Sequence, residues 1–180
     1  LFYTAVMGLM ASAFGSGANY ARIKFAATEK TENGEYNRFL TLVLLLTAAV
    51  VLVCVLIKPE TAGASYLGLV VLIGATIIRY YADVQYRLDL NYRSFFFYYI
   101  LIAAGYVVGT LIYPYTNSWV AILLCGELAG LLFVIIKGTI FRRPRWNKTP
   151  HLAAHMKTMT SLSTGFLMSE FVNYTDRMLL

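Results

Sequence analysis

Ser163, Glu170, Asn173 and Arg177, near the end of the chain, follow the three- and four-residue spacing of one helical face, with Ser169 and Asp176 beside it. Phe171, Tyr174 and Met178 fall mainly on the opposite side. A face that combines acids, an amide and a base can hold a charged group, pass a proton or pair internally. In an apolar stretch it cannot point at hydrocarbon cheaply, because a charge at the centre of a membrane helix costs about 2.5–3.5 kcal/mol on insertion scales. The face is therefore expected against a polar cavity or a partner helix. Two structural readings stay open beside that one: a helix lying in the membrane interface, or Arg177 simply paired with an acid.

Glu127 is a second intramembrane charge. It lies alone between Trp119 and Lys137 in an otherwise apolar run. It could bind a coupling cation, exchange a proton or pair with Arg177; the alternative is a protonated acid bonded to a nearby Ser or Tyr. A third polar feature is the face formed by Thr4, Gly8, Ser12, Gly15 and Asn19. It suits close helix packing or the lining of a wet path, and packing is the more economical reading; Gly105–Gly109 and Gly126–Gly130, both GxxxG, likewise read as packing positions.

Other chemistries find little footing. His151 and His155 have i, i+4 spacing, but no acidic residue completes an HExxH-type metal motif. No phosphate-binding loop and no nucleophile–base set is evident, so neither an enzyme nor a cofactor is expected. Cys54 and Cys125 sit in apolar runs and read as small buried residues. The stretch from Asp83 to Asp89 reads as a mixed-charge junction, not a tight acidic pair.

The elements that must carry these residues are set by hydropathy. Charged residues are 13% of the chain and hydrophobic residues 59%, whereas a soluble domain carries roughly 25% charged residues. The excess apolar surface calls for lipid. Six stretches approach the roughly 20 residues needed to cross a bilayer: Leu1–Tyr20, Phe39–Ile57, Ser65–Tyr81, Phe95–Tyr113, Trp119–Ile136 and about Leu162–Leu180. The expected fold is an all-α polytopic bundle. Thirteen of the 15 Lys and Arg lie in or at the edges of three alternate junctions; Lys58 lies in another, and Arg177 inside the last stretch. By the positive-inside tendency, the three junctions are cytoplasmic and the first helix starts outside. That distribution also argues against nucleic acid as the partner of the net +6 charge. Lys58-Pro59-Glu60 and Pro114 are expected to stop the second and fourth helices. Tyr80, Tyr81 and Tyr92 on one side, and Tyr113, Tyr115 and Trp119 on the other, are expected at the interfaces. Thr149-Pro150 reads as the start of a short amphipathic helix, about His151–Met159, lying on the cytoplasmic leaflet. Both ends of the chain fall in apolar runs, so it reads as an internal piece of a longer membrane protein.

A basic loop, a tight hairpin, a junction reading RYYADVQYRLDLNYRSFFFYYI at Arg79–Ile100, a second tight hairpin, a long basic linker and a span ending NYTDRMLL at Asn173–Leu180 together give a layout. It resembles the bacterial polysaccharide biosynthesis flippases, the O-antigen (Wzx-like) transporters of the multidrug, oligosaccharidyl-lipid and polysaccharide exporter superfamily. Asp176-Arg177 is the most recognisable local match. The resemblance implies most of one lobe of a two-lobed transporter (residues 1–137), a cytoplasmic linker (138–160) and the first helix of the second lobe (161–180). It implies a multi-pass protein of the bacterial cytoplasmic membrane that turns an isoprenoid-pyrophosphate-linked oligosaccharide across the bilayer by alternating access, drawing on a cation or proton gradient. Arg177 would be a cavity cation; Asp176, Glu170 and Glu127 would be coupling or orienting groups, with Asn173 and Asn19 as polar lining. An ion-coupled drug exporter or a peptidoglycan-precursor flippase of the same superfamily is the nearest alternative. A membrane-embedded enzyme or a scaffold is a more distant one.

Overall fold

The computed structural model describes residues 2–28, 32–58, 66–141 and 151–179, with side chains described through Thr175. The described residues are helical and contain no strand. The elements are α1 (Phe2–Met10), a π-helical segment (Ala11–Ser16), α2 (Gly17–Ala26), α3 (Asn33–Ile57), α4 (Tyr66–Leu88), α5 (Tyr92–Thr116), α6 (Trp119–Lys137) and α7 (Leu152–Leu179). The first three form one unbroken helical run. The protein is thus an all-α membrane protein: α3, α4, α5 and α6 are each long and apolar enough to cross a bilayer. The first run is divided by its π segment, and α7 is more polar, so neither belongs to that set.

Apolar patterning decides which helix goes inside. α4 is the most enclosed of the four, with Leu69, Leu72, Ile73, Ile77 and Tyr81 all buried. On one side it meets the α1–π–α2 run, which α7 covers along its length; on another it meets α6, which carries α5; α3 closes a third. α3 and α5 leave long apolar rows exposed, including Leu45, Leu56, Ile57, Phe96, Val107 and Leu111. Those rows need lipid, since water would penalise each exposed Leu or Phe by about 1.5–3 kcal/mol relative to burial. Threonine hydroxyls inside the spans satisfy themselves: Thr47, Thr76 and Thr110 donate to the carbonyl four residues back at 2.8–2.9 Å.

Small residues set the spacing between helices. The two GxxxG segments pack on each other: a Cβ on Gly105 would lie 2.7 Å from the Cys125 carbonyl oxygen, and one on Gly109 2.6 Å from that of Ile122. Gly126 and Gly130 receive the Tyr106 ring and Ile102 from the other side. In the first run, Gly8 faces Tyr174, Gly15 faces Ile77 and Tyr80, and Gly17 faces Ser163. The small face read from the sequence is a packing face.

Several boundaries differ from the sequence expectation. Pro114 does not stop α5; it lies inside the last turn, and the helix ends two residues later at Thr116, capped by Asn117, whose left-handed backbone (φ 47°) points its N–H at the Tyr113 carbonyl. A proline near the end sacrifices only one bond, so the cap decides. The proposed surface helix and the last span are one helix, α7. Its first turns do not lie apart on a leaflet, because His155 and Met159 are fully buried against α2 and α3. Tyr81 is not an interface residue: it is completely buried, and Arg22 donates to its hydroxyl. α3 begins at Asn33, six residues before the apolar stretch. The Pro59-Glu60 stop, the Thr149-Pro150 cap and the basic residues 142–148 lie outside the described residues.

The glycine contacts give a paired test. Gly109→Ala places a methyl against main chain that cannot yield and is expected to cost about 1–3 kcal/mol. Gly165, with open space around its position, should accept Ala and gain up to about 1 kcal/mol of helix propensity. Thermal unfolding in detergent reads both; equal melting temperatures would refute the close α5–α6 packing.

Candidate functional site

The ion pair at the centre of the bundle joins α4 to α6. Glu127, 2% exposed, meets Arg79 with Oε2 2.9 Å from Nε. Its other oxygen, Oε1, accepts a hydrogen bond from the Tyr106 hydroxyl of α5 at 2.8 Å. The guanidinium also lies 5.1 Å from the centre of the Tyr80 ring. The ionic contact lacks hydrogen-bond alignment, so Nε and Oε2 both keep bonding capacity. The sequence placed Arg79 at a basic cytoplasmic junction and offered Arg177 as the partner of Glu127; Arg79 takes that place instead. α4 continues ten residues past Ile78 as regular helix, which carries Arg79 inside the bundle. The i, i+4 repeat of Arg79, Asp83 and Arg87 was the available signal.

One turn further along α4, Asp83 is also buried, at 9% exposure, and accepts a hydrogen bond from Tyr99 at 2.8 Å. Around it, Tyr86, Phe95, Tyr98, Tyr99 and Phe133 stack edge to face or tilted, with centroids 4.9–6.4 Å apart. The mixed-charge stretch is thus divided: Asp83 to Tyr86 lie inside the bundle, and Arg87 to Asp89 stay exposed.

Glu170 stands on a separate seam, between the first run and α7. It accepts from the Ser12 hydroxyl at 2.9 Å, and Asn173 Nδ2 reaches its second oxygen at 3.4 Å. Ser12 belongs to the π segment, the one place where the regular helical ladder of that run is remade. Of the expected polar face on α7, Ser163 is buried and Glu170 half-buried, while Asn173 is exposed. Tyr174 is not on the far side: it packs over Gly8, on the Ser163–Glu170 side. Eleven residues from Ser163 make three nearly whole turns, whereas ten leave Asn173 turned away. The side chains of Asp176 and Arg177 lie outside the described residues. Asn19 is buried and donates to the Tyr80 carbonyl at 2.9 Å, which ties the first run to α4 beside Arg79.

A third polar cluster lies at the basic end, and sequence reasoning did not anticipate it. Glu35 and His155 are both buried and touch at 2.5 Å, from Oε2 to Nδ1. His155 packs on Phe25 and on His151, so the histidine spacing serves packing and this pair. No group of three or more potential metal ligands occurs among the described residues. Arg22 bonds Tyr81 and Asn33 and lies 5.2 Å from the Tyr36 ring centre. Asn33, Asn37 and Gln85 bond the backbone of Thr139 and Ile140, which fastens the exit of α6 to α3 and α4.

The predicted residues therefore separate. Glu170 and Asn173 come together; Glu127 belongs to a different site with Arg79 and Tyr106; Asn19 serves the helix interface. Compared with known proteins, the chain matches no family model, no curated protein and no solved structure.

The Arg79–Glu127 contact predicts a non-additive pair. Arg79→Met strands a buried carboxylate and should cost about 3–5 kcal/mol, while Arg79→Met combined with Glu127→Leu should recover most of the loss. Thermal unfolding of the four proteins of this cycle measures the coupling; simply additive losses would show that the two side chains do not act as a pair.

Proposed function

We propose that this chain is part of a membrane transporter that turns a lipid-linked oligosaccharide across the bacterial cytoplasmic membrane for surface polysaccharide assembly. The observation that supports the reading best is the Ser12–Glu170–Asn173 seam between the first helical run and α7. A carboxylate held between two helices at the depth of a span has little structural use that an apolar contact would not serve better. It suits a path that must accept a hydrated headgroup. The π segment supports the same reading, since a remade helical ladder is a ready place for a helix to bend. In this view, alternating access means that α7 and the first run separate along the seam, breaking the Ser12–Glu170 bond, while the tightly packed α4–α5–α6 group moves as a block. Arg177 and Asp176, two turns beyond Glu170, would extend the seam and meet the pyrophosphate.

A second reading has its own support. Inside the described bundle, Glu127, Asp83 and Glu170 outnumber the one intramembrane base, Arg79. An excess of acids suits an ion-coupled exporter of cationic compounds.

The reading is tested in cells whose own copy of the full-length gene is deleted and replaced by variants present at normal membrane levels. Glu170→Ala and Arg177→Ala should each reduce surface polysaccharide to a small fraction of the unsubstituted level, with lipid-linked precursor accumulating inside; Glu170→Gln, which keeps the Ser12 bond, should restore part of it. Normal surface glycan in the deletion strain, together with raised sensitivity to cationic drugs, would replace the flippase reading with the exporter.

A further inference from the structure

α3 changes character within a turn. Its start carries Asn33, Glu35, Asn37 and Arg38, and from Phe39 onward it is almost wholly apolar. Arg38 therefore stands at the level where the helix passes from headgroups into hydrocarbon. From there an exposed apolar stripe runs along α3 through Leu42, Leu46, Val53 and Leu56, at helical spacing.

At the head of that stripe the surface between α3 and α7 is hollow. Arg38, Thr41 and Leu42 form one wall, and Leu152 and Met156 of α7 the other, around a volume of about 310 Å³. That is within the range of small-ligand sites, roughly 300–1,000 Å³. Arg38 precedes Leu42 by one helical turn, about 6 Å along the axis, on the side of the basic end. Thr41 gives its hydroxyl proton to the Asn37 carbonyl at 2.8 Å, so it brings the hollow no donor. Leu42 is exposed, while Leu152 and Met156 are half-buried. Met156 is a flexible side chain that adapts to an irregular occupant.

The charge at the mouth is positive. Glu35, three residues before Arg38, is buried against His155 and does not line the hollow. Lys157 follows Met156 and is exposed. By sequence, the junctions on this side carry thirteen of the chain's 15 Lys and Arg. A cationic mouth above apolar walls, opening on a stripe that faces lipid, complements a molecule with an anionic head and a hydrocarbon tail. A soluble anion would leave the walls unused, and an uncharged lipid would leave Arg38 unused.

We propose that this hollow binds one anionic phospholipid from the leaflet on the basic side. Its phosphate rests on Arg38, and one acyl chain lies between Leu42 and Met156 and continues along the exposed stripe of α3. A guanidinium presents several donors in a planar fork, so it serves a phosphate alongside other partners. The bound lipid bridges α3 and α7 beside the Glu35–His155 contact and helps hold those two helices together. The proposal does not depend on what the protein transports.

Photolabelling of the whole chain in phosphatidylcholine nanodiscs tests it. The probe is phosphatidylglycerol with a diazirine on one acyl chain, compared with phosphatidylcholine carrying the same chain, and labelled peptides are mapped by mass spectrometry. A second hollow, between α5 and α6, is the internal control: Leu101, Val108, Leu128 and Leu132 help to line it, and no charged side chain does. The phosphatidylglycerol probe is expected to label the peptides bearing Leu42, Leu152 and Met156 several-fold more than its counterpart, while the α5–α6 hollow labels equally with both. Arg38→Gln should reduce the preference about fivefold, the effect of one basic side chain at an anionic lipid surface, and Arg38→Lys should keep most of it. Thr41→Trp, which fills the hollow from an exposed position, should remove labelling there and leave the α5–α6 control unchanged. Equal labelling of the α3–α7 hollow by the two probes, or a preference that survives Arg38→Gln, overturns the proposal. Cross-linking of two copies of the chain through Leu42 in place of lipid would make this face a dimer contact and overturn it equally.

Discussion

A guanidinium inside an apolar bundle has to be neutralised, and much of the arrangement follows from that constraint. Arg79 enters the interior because α4 does not end where its apolar stretch ends. Leaving it unpaired would be far more expensive than any packing defect nearby. Glu127 answers from α6, and Tyr106 holds that carboxylate from α5. One charge therefore fixes the rotation of three helices about their axes. Such a pair adds little net stability over well-packed apolar residues, but a bundle rotated by one position would strand both charges, which gives it strong discrimination between registers.

Close approach of the helices makes that pairing possible. In a membrane, lipid tails solvate apolar side chains as well as other helices do, so contact area and shape must hold helices together. Gly105 and Gly109 bring α5 onto the α6 main chain and Gly126 and Gly130 admit the Tyr106 ring and Ile102, while Gly15 and Gly17 meet main chain of α4 and α7 and Gly8 admits the Tyr174 ring. The two sets differ in what they enclose. The α5–α6 contact closes on main chain and encloses a single bonded polar pair, Tyr106 and Glu127. The contact of the first run with α7 includes Ser12, Glu170 and the buried, unbonded Ser163 hydroxyl. Polar groups with alternatives open to them make this the looser seam.

At the basic end, polar side chains replace glycine as the fastener. Glu35 joins α3 to His155 of α7, Arg22 joins α2 to Tyr81 of α4, and Asn33, Asn37 and Gln85 hold the chain leaving α6. This end has more polar contacts between elements than the opposite one, where Tyr3 bonding the Lys58 carbonyl at 2.9 Å is the main tie among the described residues.

The helical class, four of the six expected spans, the tight α5–α6 hairpin and the packing role of the GxxxG segments were legible in the sequence. Each follows from local hydropathy or from residue size at fixed helical spacing, and neither depends on which helix lies opposite. Partnership was not legible. Glu127 stood out as an isolated charge, but nothing local could tell that Arg79, 48 positions earlier in the chain, rather than Arg177, would neutralise it. Asp83 read as part of a mixed-charge junction and His155 as part of a surface helix, and Glu35 drew no reading, because burial there depends on helices running past the ends of their apolar runs and on other helices covering them. Tyr174 was misplaced although eleven residues of regular helix already return it to the Ser163 side; the structure adds that Gly8 is what it meets there. The sequence determined which residues could not face lipid; the tertiary structure decided what each of them faces, because a charge buried by several helices is solved by all of them at once.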